Sequence, residues 1–274
     1  MPAIGARRDP AFIRAHLEQL AWLVERYHHS VVDGFAHLPT GPALIVGNHN
    51  GGIMAPDMYA LMVAWWRHAG VDVPTYGLAH DLGFRIPGVR DLLGRLGAVP
   101  ANPANGLALL ADGHKVLVYP GGELDAYRPA SRSHLIEFGE RTGFVRLALR
   151  AGVPIVPVVS VGAHASFHVI SDGRALVARL GLARHLRVSA VPLILCAPWG
   201  VAIGATPFVP LPVKMRLRVL PPIAWPELSA SAADDPSVLA RCRDEVRVAM
   251  QRGLDVLAAS GDHGVTARFA RQGA

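Results

Sequence analysis

The sequence predicts a single α/β domain built on a mostly parallel, mixed central sheet with helices on its faces. Strand-like apolar runs at residues 43–46, 115–120 and 153–161 alternate with stretches whose apolar residues recur at helical spacing. The 274 residues fit one large domain. No internal repeat and no low-complexity linker divides the sequence, which favours one layered domain over two separate units.

The first predicted element is an amphipathic helix at residues 10–27, with Ile13, Leu17 and Leu20 on its apolar side. Such a stripe usually packs on a core. A role at a lipid surface is the second interpretation, because arginines surround the helix. These are Arg7, Arg8, Arg14 and Arg26.

The remaining elements follow from the same periodicities. Further strands are expected at residues 71–78 and 214–219, and helices at residues 56–66, 90–96, 105–112, 143–150 and 235–258. We divide the chain into a lead-in that contains the amphipathic helix (1–40), a main domain (41–260) and a polar tail that is expected to be flexible (261–274).

The composition limits the partners of the protein. Hydrophobic residues make up 51% and charged residues 18%, so the chain can bury a large core and still leave apolar surface. The formal net charge of +6 favours anionic partners: nucleic acid, anionic lipid headgroups, or phosphate-bearing substrates and carriers. Nucleic acid ranks well below the others, because aromatic residues are only 7% and no block of lysine and arginine lies among them.

Two features concern the cellular compartment. Cys196 and Cys242 have no metal-ligand spacing and predict no disulfide framework, which favours a reducing cytosol. Residues 1–14 carry charges and lack an apolar core of signal-peptide length, so secretion is unsupported.

The longest uncharged run covers residues 189–213. It has the length to span a bilayer, but its five prolines and two glycines would break a helix repeatedly. It is therefore either a loop-rich part of the core or an apolar surface that faces a membrane, and a spanning helix ranks third. Lys214, Arg216 and Arg218 follow it and would give such a surface a cationic rim suited to anionic bilayers.

The most informative segment is G-N-H-N-G-G-I-M-A-P-D at residues 47–57. It follows a predicted strand, so His49 lies in a glycine-containing turn with Asp57 a few residues on. A histidine in this setting can act as a general base on a substrate hydroxyl, while the aspartate holds its other ring nitrogen. That arrangement suits transfer of an acyl group to an alcohol. A plain surface or capping histidine is the alternative for this segment taken alone.

A second strand end carries the turn Y-P-G-G-E at residues 119–123. In sheets of this kind functional groups collect at the carboxyl edge, where strands meet helices. Free backbone N–H groups in such a turn can hold an oxyanion or a phosphate, and a purely structural turn is the alternative. The Gly-Lys-Ser/Thr ending of a Walker A loop is absent.

Arginines near these two turns are candidates for binding phosphate. Arg85, within G-F-R-I-P-G, could act as a bidentate clamp, with an ordinary solvated arginine as the alternative. Arg128, Arg132 and Arg141 follow the Gly-Gly turn and could extend a positive pocket. No G-x-S-x-G elbow and no H-E-x-x-H pair is present, which argues against an α/β-hydrolase and against a metal site.

Five motifs in order resemble the glycerolipid and lysophospholipid acyltransferases, above all the branch with the diacylglycerol and monoacylglycerol acyltransferases. They are G-N-H-N-G-G-x-x-A-P-D, G-F-R-I-P-G, V-Y-P-G-G-E, R-T-G-F and V-P-I-V-P-V, and they cover residues 44–161. That family usually has four residues between its histidine and aspartate, whereas seven separate His49 from Asp57. Gly51, Gly52 and Pro56 could loop this insertion out. Pro-Gly-Gly-Glu resembles the neutral-lipid branch, since the phospholipid branch usually has Pro-Glu-Gly.

The resemblance implies an O-acyltransferase. His49 would be the general base on an acceptor hydroxyl, Asp57 would orient it, and the hydroxyl would attack the thioester of acyl-CoA or acyl carrier protein directly. Asn48 and the N–H groups near Gly51 or Gly121 would stabilise the oxyanion. The expected substrate-binding set is Asn48, Asn50, Gly51, Gly52, Arg85, Pro120, Gly121, Gly122, Glu123 and Arg141.

The expected partners are a lipid acceptor, acyl-CoA or acyl carrier protein as co-substrate, and a membrane surface, without nucleic acid, metal or cofactor. The expected location is the cytoplasm, peripheral to the inner face of the membrane. Two alternatives remain: a catalytically lapsed lipid-binding protein of the same fold, and a thioester or ester hydrolase in which water replaces the alcohol.

Overall fold

A seven-stranded sheet forms the centre of the protein, whose computed structural model describes residues 7–179, 191–204 and 206–265. The strands of this sheet lie in the order β1-β10-β6-β2-β5-β3-β4. Neighbours are parallel throughout except for β10, which runs antiparallel to β6. The prediction of a mostly parallel, mixed sheet is therefore confirmed. Its strands are β1 (Val31–Asp33), β2 (Ala43–Gly47), β3 (Thr75–Ala79), β4 (Ala98–Pro100), β5 (Lys115–Val118), β6 (Ile155–Val161) and β10 (Arg216–Val219).

The two central strands are the most apolar. Every residue of β2 and β6 is buried, as continuous apolar runs require when both faces of a parallel strand are covered by helices. β2 pairs with β5 on one side and with β6 on the other, with Val46 opposite both Val118 and Pro157. This parallel register brings the carboxyl ends of the three strands to one edge of the sheet, where the histidine turn and the Gly-Gly turn begin.

Nine α-helices are described in residues 7–179 and 206–265, and those predicted from periodicity are among them. A π-helical turn, Trp22–Tyr27, continues the first helix, and three of the short helices were not predicted. The helices are α1 (Pro10–Ala21), α2 (Pro56–Ala69), α3 (Asp81–Arg85), α4 (Val89–Leu96), α5 (Pro103–Ala111), α6 (Gly122–Ala126), α7 (Gly143–Ala151), α8 (Arg174–Arg179) and α9 (Pro236–Ala259).

The helices cover both faces of the sheet and create two cores. One core contains residues of α5, α7 and α9 against the sheet, among them Leu109, Val145 and Leu254. The other contains residues of α1 and α2, with Ile13 fully buried and Trp65 6% exposed. The apolar stripe of the first helix therefore packs on a core, and β1 extends the sheet by pairing with β10, so residues 10–33 are built into the same body.

A second, three-stranded antiparallel sheet was not predicted. It consists of β7 (His168–Ser171), β8 (Leu193–Cys196) and β9 (Gly200–Ile203), in that order. Its two last strands lie in the uncharged run, of which residues 189, 190 and 205 lie outside the described part. The interpretation of this run as a spanning helix is wrong, since its described residues form a hairpin. Within the described ranges, no helix has the length and hydropathy to cross a membrane.

The start of the polar tail is attached to the sheet. Lys214 and Gly264 exchange two backbone hydrogen bonds, and the carboxylate of Asp262 pairs with Lys214 and Arg216. Side-chain charge and backbone hydrogen bonds thus join Asp262 and Gly264 to the sheet, and the flexibility of the tail stays a prediction. The rest of that predicted tail, residues 266–274, lies outside the described residues, as do residues 1–6.

Candidate active site

The histidine turn is fastened to the neighbouring strand by two asparagines. After Gly47 the side chains of Asn48 and Asn50 point to one side and His49 to the other, as in an extended chain. The amide groups of Asn48 and Asn50 both donate to the carbonyl oxygen of Ser160 at 3.0 and 2.7 Å, and Ser160 N–H donates back to Asn48 Oδ1 at 2.8 Å. Both asparagines are 1% exposed. They position the turn, and their role as substrate-binding groups stays a prediction.

His49 and Asp57 lie in hydrogen-bond contact. The distance from His49 Nδ1 to Asp57 Oδ2 is 3.1 Å, and the same carboxylate oxygen accepts the backbone N–H of Asn50 at 3.0 Å. Asp57 is buried, whereas the His49 side chain is 16% exposed. The pairing expected from the resemblance is present, so the wider spacing of the two residues no longer supports a lapsed protein.

The extra residues between them form a compact turn. Residues Gly52–Met54 make one turn of 3₁₀ helix, Ala55 adopts a left-handed conformation at φ 46°, and Pro56 starts α2. Proline is well suited to the first position of a helix, because its missing N–H has no partner there. Asp57 therefore lies in the first turn of a 14-residue helix, where the helix dipole favours a carboxylate.

The surroundings shift the proton affinities of the pair in opposite directions. Burial lowers the pKa of His49, but the charge and hydrogen bond of Asp57, helped by Asp125, outweigh it, and the pKa lies above its usual 6.5. Burial raises the pKa of Asp57, yet the His49 charge and hydrogen bonds overcome this effect, so the pKa of Asp57 is lowered. The carboxylate stays ionised and can stabilise an imidazolium beside it.

A buried ion pair between Asp125 and Arg128 holds the backbone of the histidine turn. Asp125 accepts the backbone N–H of His49 at 2.5 Å through one oxygen and pairs with Arg128 through the other. Both side chains are almost fully buried, and Arg128 also donates to the carbonyl oxygens of Ser133 and Leu135. The sequence suggested that Arg128 extends a positive pocket, but its charge is paired inside the protein. The short spacing of three residues between Asp125, in α6, and Arg128, just after it, is the signal that could have revealed this pair.

The Gly-Gly turn is shaped by close contacts. A Cβ on Gly121 would lie 2.3 Å from the Cβ of Asp125, and Gly122 has φ 52°, so both positions require glycine. Arg141 Nη1 donates to the carbonyl oxygens of Pro120 and Gly121 at 2.9 and 2.5 Å. This nitrogen fixes the turn, and the role of Arg141 as a phosphate-binding group stays a prediction.

The other predicted residues are less closely tied to His49. Glu123 lies in α6, and its side chain is outside the described part of the structure. Arg85 ends α3 and is exposed, and it makes no hydrogen bond or ion pair to another described residue. Its role as a phosphate clamp stays a prediction. Arg132 pairs with Glu137 and therefore does not widen a positive pocket.

An apolar cavity of about 90 Å³ lies beside Tyr119, the residue that connects it to His49. It lies between α2, β3, α4 and β5, and Tyr119 forms part of its wall. The Tyr119 ring also packs against the His49 ring, with centroids 5.2 Å apart. Gly47 permits this approach, since a Cβ there would lie 2.4 Å from Tyr119 Cε1. The remaining walls are mainly apolar and include Leu61, Met62, Trp65, Leu78, Leu93 and Leu96.

A family model described as Acyltransferase matches residues 29–161, the part of the chain that contains the histidine turn and the Gly-Gly turn. An uncharacterized protein of Mycobacterium tuberculosis is 30% identical over 249 residues, which are 90% of this chain and 66% of that protein. The chain thus spans just under two thirds of the length of this relative.

Two other similar proteins have names that describe an activity. The human protein named DGAT1/2-independent enzyme synthesizing storage lipids is 30% identical over 149 residues, 54% of this chain and 44% of that protein. The crystal structure of the 1-acyl-sn-glycerophosphate acyltransferase PlsC from Thermotoga maritima superposes with a TM-score of 0.53 at 20% identity, covering 91% of this chain and 84% of that chain. The structural match shows a shared fold.

The geometry predicts that Gly51→Ala uncouples the pair while the fold persists. An added Cβ would lie 2.5 Å from Pro56 Cδ and 2.7 Å from Asp57 Oδ1, so Asp57 must move away from His49. We expect acceptor-dependent activity to fall by about tenfold or more, because such groups work only within narrow geometric limits. Gly41→Ala is the matched control, since an added Cβ there meets no atom within 4 Å. Equal activities of the two variants, both folded by circular dichroism, would contradict the assignment.

Proposed function

We propose that the chain is an acyltransferase, as its match to the Acyltransferase family model over residues 29–161 indicates, and that it transfers a fatty acyl group from a thioester donor to a hydroxyl of a lipid acceptor. The donor would be acyl-CoA or acyl carrier protein, and the acceptor a glycerolipid or lysophospholipid. The observation that carries this proposal is the partly exposed His49, held by the buried Asp57 and packed against Tyr119, which lines an apolar cavity.

His49 is the proposed general base. With Nδ1 held by Asp57, the Nε2 atom is left to take the proton of the acceptor hydroxyl as its oxygen attacks the thioester carbonyl carbon. The carbon–sulfur bond of the tetrahedral intermediate then breaks, and the proton passes from the imidazolium to the leaving thiolate. The products are the acylated acceptor and the free thiol. The raised pKa of His49 suits both proton transfers, since the ring must accept and return a proton near neutral pH.

The oxyanion of this intermediate requires hydrogen-bond donors. The N–H groups of His49 and Asn50 are occupied by Asp125 and Asp57. Those of Gly51 and Gly121 belong to buried residues and make no hydrogen bond to a described residue. We assign the oxyanion to these two N–H groups, because buried backbone donors normally have a partner.

The apolar cavity is the proposed site of the acyl chain. Its walls exclude water and offer hydrocarbon contact, which a fatty acyl chain needs and a polar donor group does not. Tyr119 joins the cavity to the His49 ring, so a chain in the cavity would leave its thioester beside the base. A glycerolipid acceptor agrees with the named activities of the relatives, and its acylation would take place peripherally at the inner, cytoplasmic face of the membrane.

We predict that His49→Ala lowers acceptor-dependent thiol release by about two to four orders of magnitude, the usual contribution of a positioned acid–base group. His16→Ala is the control, because His16 is exposed on α1. Thiol release is measured with acyl-CoA or acyl carrier protein, with and without a lipid acceptor.

Four results of this assay bear on the proposal. Acceptor-dependent release that His49→Ala abolishes supports transfer. Release that does not depend on an acceptor indicates a hydrolase, and no release with either donor indicates a binding protein; both contradict the proposal. Near-normal turnover by a folded His49→Ala protein would contradict the mechanism.

A second prediction concerns the cavity. Gly77, in β3, lines the cavity, and an added Cβ there meets no atom within 4 Å. The Gly77→Val protein can therefore fold, and the valine side chain reduces the volume of the cavity. We expect the preferred acyl chain to become shorter. Each methylene excluded from the cavity costs about 0.8 kcal/mol, or about fourfold in kcat/KM. A series of donors of increasing length tests this, with the shortest donor as internal control. An unchanged length profile would place the acyl chain elsewhere.

A further inference from the structure

The three-stranded sheet has one buried and one exposed face. Val169, Ile194 and Ala202 are cross-strand neighbours, and the first two are buried against the aromatic rings of Tyr127, Phe167 and Phe208. An antiparallel sheet that is covered on one side normally carries polar residues on the other. Here the other side is mainly apolar: His168 and Ser171 are exposed on β7, but the residues opposite them on β8, and Val201 and Ile203 on β9, are apolar.

Large apolar side chains are concentrated on this outer side and on the segment that follows β9. The whole stretch from residue 191 to residue 213 contains no charged residue. We call these seven residues the outer sheet face: Ile170 (48% exposed), Leu195 (49%), Trp199 (62%), Val201 (61%), Ile203 (69%), Val209 (56%) and Leu211 (46%). Contiguous apolar surface of this kind marks a site of contact with a partner or a membrane.

The indole N–H of Trp199, the aromatic residue of this face, has a hydrogen-bond partner within the protein. Trp199 Nε1 donates to the carbonyl oxygen of Pro207 at 2.7 Å, and the hydroxyl of Thr206 donates to the carbonyl oxygen of Ile203 at 2.9 Å. A polar group that leaves water without a partner is costly. Because these donors are satisfied within the protein, the indole ring can enter hydrocarbon without losing a hydrogen bond.

The basic residues beside this face are paired with carboxylates. Lys214 pairs with Asp262, Arg218 pairs with Asp33, and Arg216 lies between both acids. These two carboxylates leave the cationic rim predicted from the sequence with one unbalanced positive charge. Its attraction to anionic lipid is therefore weak, and apolar contact, which salt does not screen, is the main attraction to a surface.

The outer sheet face is fixed to the histidine turn. A Cβ on Gly52 would lie 3.1 Å from the Phe167 ring and 3.2 Å from the Phe208 ring, both of which belong to the inner packing of the sheet. The hydroxyl of Tyr127 accepts the N–H of Ile53 at 3.0 Å. The sheet thus packs directly against the turn that carries His49, and Ile53, itself 47% exposed, lies on that turn.

We propose that the outer sheet face inserts into the interfacial layer of a lipid bilayer and brings the His49 turn to the acceptor. The occupant is lipid rather than protein because the face lacks charge and connects directly to a site whose proposed acceptor is a lipid. The role of this docking in catalysis rests on the proposed function. The mode of membrane binding does not depend on it: binding is apolar, does not require anionic lipid and is insensitive to salt.

Vesicle sedimentation tests the binding. We expect the full chain to sediment with zwitterionic phosphatidylcholine vesicles at both low and high salt. Replacing Val201 and Ile203 by serine should lower the partition coefficient by at least about tenfold, because two exposed apolar anchors are lost. Val256→Ser is the matched control, since Val256 is 63% exposed on α9 and should leave binding unchanged. Binding only to anionic vesicles with release by salt, or equal binding by all three proteins, would overturn the proposal.

Two further measurements separate this inference from the alternatives. If a second copy covers the face, the wild type is a dimer and the double serine variant a monomer by sedimentation velocity, and the proposal is wrong. A water-soluble, short-chain acceptor bypasses the membrane, so the double variant should keep its activity on this acceptor and lose it on vesicle-embedded acceptor. Equal losses on both would overturn the docking role. Absence of acceptor-dependent activity in every protein, with vesicle binding intact, would instead refute the proposed function.

Discussion

The site depends on hydrogen bonds that join the end of one strand to the peptide of its neighbour. Asn48 and Asn50 both donate to the Ser160 carbonyl, and Ser160 N–H donates back to Asn48. Buried amides that lose such partners cost about 1–3 kcal/mol each, so the turn has little freedom to open. With two asparagines held on one side of the extended chain, the residue between them must point to the other side. That residue is His49.

Two carboxylates then determine what His49 can do. Asp125 accepts its backbone N–H and fixes the main chain, while Asp57 contacts its ring and fixes the side chain. Arg128 neutralises Asp125 inside the protein, which leaves Asp57 as the buried charge that faces the imidazole. The acyl cavity and the outer sheet face approach the same turn through Tyr119 and Tyr127. Base, proposed acyl site and proposed membrane surface therefore share one rigid support.

Much of the fold was predictable from local patterns. The apolar runs that became β2, β5 and β6 are long enough to specify buried parallel strands, and their order along the chain placed both turns at one sheet edge. The hairpin of β8 and β9 was not predictable, because Leu195 and Val201 are apolar on the exposed face. The alternation of polar and apolar residues that normally identifies such strands is absent there. Proline and glycine content instead suggested an irregular segment.

The sequence predicted the chemistry of the site better than the roles of its individual residues. A histidine and an aspartate after a strand predicted the pair, but the partner of Asn48 lies 112 residues away in the sequence. Arginines look alike in a sequence, whereas Arg128 and Arg141 bind carbonyl oxygens and Arg85 is exposed. Long-range contacts decide which polar groups are occupied within the protein, and no local pattern records them.

The pKa of His49 is the most direct test of this account. It can be measured from the pH dependence of the ring-proton NMR signals, with His49→Ala used to assign the His49 resonance. We expect a pKa above 6.5 in the wild type, because Asp57 outweighs the effect of burial. In Asp57→Asn the charge is lost while burial remains, so the pKa should fall below the wild-type value. A wild-type pKa at or below 6.5, or one that Asp57→Asn leaves unchanged, would contradict the claim that Asp57 makes His49 the base.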